Sequence, residues 1–462
     1  MTYPTPQDVV EKALAASSAD GQVAFVVESS EANLRWASNS LTTNGAMRSR
    51  QVVVVSFVDG GAGMAAGTVA RTGSPDVAEL VAASEQAARD AGPAKDAMPL
   101  VAETPPGAGD WDAEPAETSI GVFADFAPAL GQAFGEARNR DELLFGYAEH
   151  AMETTYLGTS TGLRLRHDQP TGRVELNGKS SDMGRSVWAG TGTRDFADVS
   201  VEALAGEVAR KLGWSRRRVE LPAGRYETLL PPSTVSDLMI YAYWTMEARD
   251  ADEGRNVYAK RGGGNRIGER LAALPLTLRS DPFEPGLETS PFAVVSGSSG
   301  AASVFDNGMA TPAVDWISGG VLTNLIRPRA WALKTTAPAT AAVDNLVLEL
   351  PGATATQDEM VAATDRGLLL TTLWYIREVD PQTLLLTGLT RDGVFLVEGG
   401  EVVGAVNNFR FNESPVDLLT RMTEVGRTER TLPREWNDWF TRAAMPPVRV
   451  PDFNMSSVSP AS

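Results

Sequence analysis

A proline pair, Pro231 and Pro232, stops any helix arriving from upstream and opens onto residues 233–249, STVSDLMIYAYWTMEAR. Proline cannot continue a helix but suits its first turn, so the pair marks a sharp start. Ser233 or Thr234 can cap it, and Asp237 adds negative charge near the positive end of the helix dipole. Val235, Leu238, Met239, Ile240, Tyr241, Tyr243, Trp244 and Met246 put apolar side chains on every face. A helix apolar all round is a buried helix. The stretch therefore predicts a helix over 233–249, with Trp244 and Met246 in the core and other elements wrapped around it.

The flanking sequence supplies the wrapping. After residue 276 short apolar runs alternate with Gly, Ser and Pro turns almost to the end, as at 292–295, 314–317, 346–350, 368–375, 384–389 and 401–406. That pattern predicts an antiparallel, β-rich half. Upstream, Thr5-Pro6-Gln7-Asp8 opens a helix to about residue 16. Strands are expected at 23–28, 33–37, 51–58 and 63–70, and a second helix begins at Ser74-Pro75-Asp76. These residues read as one α+β unit. Residues 92–117, rich in Ala, Pro, Gly and acids, read as a surface loop or linker. A helix over 119–138, strands at 142–155, 162–167, 172–176 and 183–189, and a helix over 199–212 make a second unit. The fold class is α+β, with an N-terminal domain over 1–220 and a β-rich C-terminal domain over 221–462.

The 462 residues carry 59 acids against 41 bases, a formal charge of −18. Phosphate backbones and anionic membranes would be repelled, so neither is an expected partner. No apolar run is long enough to span a bilayer and no secretory signal is visible, so a cytoplasmic location is expected. The absence of cysteine removes thiolate nucleophiles and cysteine metal ligands.

Catalytic motifs fail one by one. His150 and His167 are the only histidines, and His150 with Glu153 on a strand points to opposite faces. GTSTG at 158–162 matches G-x-S-x-G, but a strand follows Ser160 where a nucleophile elbow needs a helix. It reads as a hairpin turn. RGGGNRIG at 261–268 fits neither phosphate-loop pattern and reads as a mobile loop. No pair of acids stands at a spacing suited to acid–base work.

Three segments carry a likeness: residues 63–92, residues 156–190, and LTGLTRDGVFLVEGGEVVGAVNNFRFNESPVDLL at 386–419. In the last, a strand, R-D-G, a second strand and E-x-G-E-V follow one another. The chain resembles the TldD/PmbA family through them. That resemblance implies two subunit types. The TldD type is a zinc metallopeptidase with H-E-x-x-x-H on the corresponding helix and a cysteine ligand near the C-terminus. The TldE (PmbA) type shares the fold, lacks the ligands, and pairs with TldD as a heterodimer around an enclosed cleft. Here the six motif positions read Tyr241, Ala242, Tyr243, Trp244, Thr245 and Met246, and no histidine occurs in 233–249. The resemblance thus implies a non-catalytic, TldE-type subunit with no metal of its own and zinc in the TldD-type partner. The complex would cleave unfolded peptides or mature ribosomal peptide products. The alternative is a stand-alone cleft-binding protein on the same fold. Arg249, Arg255, Lys260 and Arg261, in the stretch leaving the helix, are candidates for the substrate cleft because cations in an acidic chain steer acidic peptides.

Overall fold

The structure is a computed structural model that describes residues 4–391 and 393–459. Asp392, the middle residue of the R-D-G signature, lies outside the described residues.

The first helix, α1 (Pro6–Ala16), starts as its sequence dictates. The Thr5 hydroxyl accepts from the Asp8 amide at 3.1 Å, and the Asp8 carboxylate accepts from the Thr5 amide at 3.3 Å. There follow β1 (Gly21–Ala37), β2 (Ser40–Asp59), β3 (Met64–Thr72), α2 (Val77–Ala91), α3 (Phe126–Asn139), β4 (Glu142–Thr159), β5 (Arg164–Ser180), β6 (Ser186–Thr193) and α4 (Val201–Trp214). The strands form one antiparallel sheet in the order β3-β2-β1-β4-β5-β6.

Two expectations change here. The 23–28 and 33–37 segments are a single strand, as are 162–167 and 172–176. Polar residues between them, such as Ser29 and Ser30, keep the ladder by pairing with Ser49 and Arg48 on one side and Glu153 and Met152 on the other. The two expected N-terminal units also share one sheet, because β1 has a partner on both edges.

Alternation along these strands divides the sheet into two apolar faces. Ala24 and Val26 meet Val10 of α1 and Val81 of α2, while Leu34 and Trp36 on the same face meet Leu130 of α3 and Val208 of α4. Helix α2 lies close on β3: a Cβ at Gly67 would come within 2.2 Å of the Ala88 nitrogen, and the Ser84 hydroxyl donates to the Gly67 carbonyl at 2.8 Å. On the other face Phe25, Phe57 and Leu165 pack against Phe292 and Phe305 from the second half.

That half is built around α5 (Pro232–Trp244), whose Leu238, Met239, Ile240 and Ala242 are buried. A ten-stranded sheet and a six-stranded sheet contribute to its surroundings. Most pairings are antiparallel; exceptions are Gly224–Leu230 with Arg366–Leu370, Leu346–Glu349 with Ala443–Met445, and Glu401–Val406 with Arg218–Val219. No helix among the described residues is long and apolar enough to cross a membrane.

The central helix departs from expectation at both ends. Pro231 takes the N-cap position without a side-chain bond, and the Thr234 hydroxyl instead donates to the Leu370 carbonyl at 2.9 Å. The helix ends at Trp244 rather than Arg249. The Thr245 hydroxyl folds back onto the Ala242 carbonyl at 2.8 Å. Met246 accepts from the Ile326 amide at 2.8 Å and Ala248 donates to the Ile326 carbonyl at 2.9 Å. That exchange pulls the chain out of helical register before a short helix, α6 (Ala248–Asp252). Trp244 is the corrected residue: it is 37% exposed, not in the core, whereas Met246 is fully buried.

Candidate functional site

The six motif positions are filled by side chains with packing and hydrogen-bonding tasks. Tyr241 lies 5.6 Å from Trp436, ring centre to ring centre. Ala242 gives its carbonyl to the buried Tyr258 hydroxyl at 2.9 Å. The Tyr243 hydroxyl both donates to the Val343 carbonyl and accepts from the Val343 amide, each at 2.8 Å. Burial pushes the Tyr243 phenol far above its ordinary pKa, so it stays protonated. Trp244 leans its edge on Trp436 and Phe440. Met246 fills the core.

The two histidines are elsewhere. His150 is held at both ring nitrogens, by the Thr118 hydroxyl and the Arg194 carbonyl, each at 2.7 Å. His167 meets Gln169 at 3.1 Å. Burial lowers the pKa of both, which keeps the imidazoles neutral near pH 7. Ser160 sits in the β4–β5 turn and accepts from the Gln22 amide at 3.0 Å. No group of three His, Cys, Asp or Glu side chains among the described residues could hold a metal ion.

Asp237, expected in the first helical turn as a dipole partner, is wholly buried. One carboxyl oxygen accepts from the Glu435 amide at 2.8 Å, and the other has no partner among the described residues. Glu435 in turn accepts from the amides of Tyr375 and Ile376 at 3.2 and 3.0 Å. Burial pushes Asp237 well above the usual aspartate range; the Glu435 amide opposes this and the Glu435 charge adds to it. A carboxyl that binds its proton more tightly when folded loses stability as pH rises from its unfolded value, about 3.9, toward its folded one. Asp237→Asn keeps the acceptor and removes the titration. Thermal melts from pH 5 to 8 should therefore show the variant gaining on wild type as pH rises. Parallel melting curves would mean that Asp237 does not carry this penalty.

The stretch after α5 forms one wall of a groove of about 1000 Å³. The opposite wall is the helix Pro415–Arg421 and the strand before it, with Arg225 and Asn454 also lining the space. The loop is anchored at its feet. The Asn256 side-chain amide donates to the Thr245 carbonyl at 2.9 Å, and the Arg266 backbone amide donates to the Tyr258 carbonyl at 2.9 Å. Its tip is a tight turn in which Lys260 donates to the Gly264 carbonyl, with Gly262, Gly263 and Gly264 at φ of 95°, 115° and 78°. Side chains other than glycine rarely adopt these angles.

The four cleft candidates separate. Lys260 and Arg261 line the groove. Arg249 turns to Glu253 and lies over the Trp331 ring at 5.5 Å, and Arg255 pairs with Asp250 and Glu253 at 2.5 and 2.6 Å. Neither lines the groove. Arg225, Arg266 and Arg421 do, and sequence reasoning missed Arg225 and Arg421 because they come from distant strands and helices. A second cleft of about 460 Å³ joins the two halves, bringing Glu153 and His167 opposite Asp344 and Arg442. These four have no shared spacing that a reader of the sequence could find.

The profile of the PmbA/TldA metallopeptidase C-terminal domain matches residues 223–457, and that of the PmbA/TldA metallopeptidase central domain matches residues 117–216. Among solved structures, TldE from Thermococcus kodakarensis superposes with a TM-score of 0.79 at 16% identity, covering 97% of this chain and 99% of that one. A proposed modulator of a DNA gyrase from Thermotoga maritima gives 0.75 at 17% identity, over 97% and 99%. A proposed modulator of DNA gyrase from Bacteroides thetaiotaomicron gives 0.75 at 14%, over 98% of each chain. No curated protein matches the sequence significantly.

Proposed function

The chain belongs to the PmbA/TldD metallopeptidase family, and from that premise we propose that it is the non-catalytic, TldE-type subunit of a two-chain zinc peptidase. The observation that carries this reading is the occupation of the motif helix. Zinc takes imidazole nitrogen, thiolate or carboxylate ligands. Positions 241–246 supply instead a phenol packed on Trp436, an alanine, a phenol bonded to backbone, a tryptophan, a threonine turned onto its own helix and a buried thioether. These residues do not fit the metal, and no catalytic step is assigned to them. Zinc and the general base would come from a TldD-type partner, and the substrate would be an extended peptide within the complex.

Metal analysis tests this without any activity. The chain, purified alone and dialysed, should retain only trace zinc, whereas about one zinc per chain would require a ligand set that the reading denies.

A further inference from the structure

The groove beside α5 has a charge pattern that the subunit reading does not use. Its lining carries Arg225, Lys260, Arg261, Arg266 and Arg421 against Glu269, Glu413 and Asp417, a local excess of cations in a chain of charge −18. The cations are unequally committed. Arg421 is bonded to Glu413 and Asp417, and Arg266 to Glu269 at 3.1 Å. Lys260 reaches Glu269 only at 3.7 Å, with both side chains exposed; an ion pair of that kind holds weakly and exchanges readily. Arg225 donates to the Asp452 carbonyl, a neutral group. Arg261 has no ion-pair partner within 4 Å among the described residues. Lys260 and Arg261 therefore offer charge to a ligand at the loop tip, and Arg225 offers it from the opposite side.

Resting on the peptidase-subunit reading, we propose that this groove anchors an acidic, extended segment of the peptide substrate. Its volume lies at the top of the range for ligand sites, roughly 300–1000 Å³. Carboxylates suit it better than phosphate. A phosphate cradle needs several free backbone amides converging on one point. At this tip the Lys260 and Gly263 amides are already bonded within the turn. The interleaved acids also disfavour a continuous polyanion, while leaving acceptors for peptide N–H groups. Spaced cations with acceptors between them match a peptide whose carboxylates alternate with amides.

The test uses the full chain alone and two fluorescein-labelled unstructured peptides, one rich in Asp and Glu, the other with Asn and Gln in their place. Fluorescence anisotropy at low salt should show binding of the acidic peptide only, weakening as salt is raised. Lys260→Gln with Arg261→Gln should weaken it about tenfold. Arg249→Gln with Arg255→Gln removes the same charge outside the groove and should leave affinity unchanged; matched melting temperatures check that both variants are folded. Equal losses in the two double variants would mean that a diffuse field, not the groove, attracts the peptide. No binding of the acidic peptide, or equally tight binding of a single-stranded oligonucleotide through Lys260 and Arg261, would also overturn the proposal. None of these outcomes bears on zinc content or on hydrolysis with a partner, so failure here and failure of the subunit reading remain distinguishable.

Discussion

Met246→Ala should lower the unfolding free energy by about 2–5 kcal/mol, the usual cost of emptying a fully buried Met, Leu or Ile site. Trp244→Ala should cost distinctly less, about 1–2 kcal/mol, although it deletes the larger side chain. The difference follows from where the helix stops. Met246 is fully buried in the cluster that includes Leu238, Tyr258 and Ile326, and its backbone is tied to Ile326. Alanine there leaves a cavity between elements that cannot close around it. Trp244 is 37% exposed and makes edge contacts with Trp436 and Phe440 at 5.3 and 6.4 Å. Its loss removes aromatic contacts that water can replace. Denaturant unfolding of the two variants, compared at equal slope, checks the ranking. A Trp244→Ala loss as large as that of Met246→Ala would put the tryptophan back in the core.

The same contrast shows what the sequence could reveal. An all-round apolar stretch behind a proline pair was enough to foresee a buried helix, because burial follows from composition alone. The stop at Trp244 was not legible. It depends on Thr245 bonding back to Ala242 and on Met246 pairing with Ile326, a partner far along the chain. Helix α1 was readable from local capping, as Thr5 and Asp8 illustrate, whereas the helix expected over 119–138 begins only at Phe126, behind an Asp125 that makes no side-chain capping bond. The fusion of two expected units into one sheet was not, since the pairing of β1 with β4 is a long-range choice. For the groove, the sequence showed a basic stretch after the helix but not its facing. Arg249 and Arg255 look equivalent to Lys260 and Arg261 until Trp331, Asp250 and Glu253 draw them aside. The cleft joining Glu153 to Arg442 left no local signal at all.

The second large effect is all-or-none. The chain alone should not hydrolyse an unstructured peptide, and adding it to a TldD-type chain bearing H-E-x-x-x-H should produce hydrolysis faster than that partner achieves alone. Positions 241–246 offer no carboxylate or imidazole to act as general base, and their phenols and thioether are engaged in packing. Burial keeps His150 and His167 neutral, and their ring nitrogens are taken up by the Thr118 hydroxyl and the Arg194 carbonyl in the first and by Gln169 in the second. A zinc-bound water in the partner would supply the nucleophile that this chain lacks.

The most direct measurement is therefore peptide hydrolysis by the lone chain, by the partner and by their mixture, each before and after treatment with a zinc chelator. The account predicts no cleavage by the lone chain, rapid cleavage by the mixture, loss of that cleavage on chelation and recovery when zinc is returned. Steady, chelator-insensitive cleavage by the lone chain, or a mixture no faster than the partner alone, would contradict it.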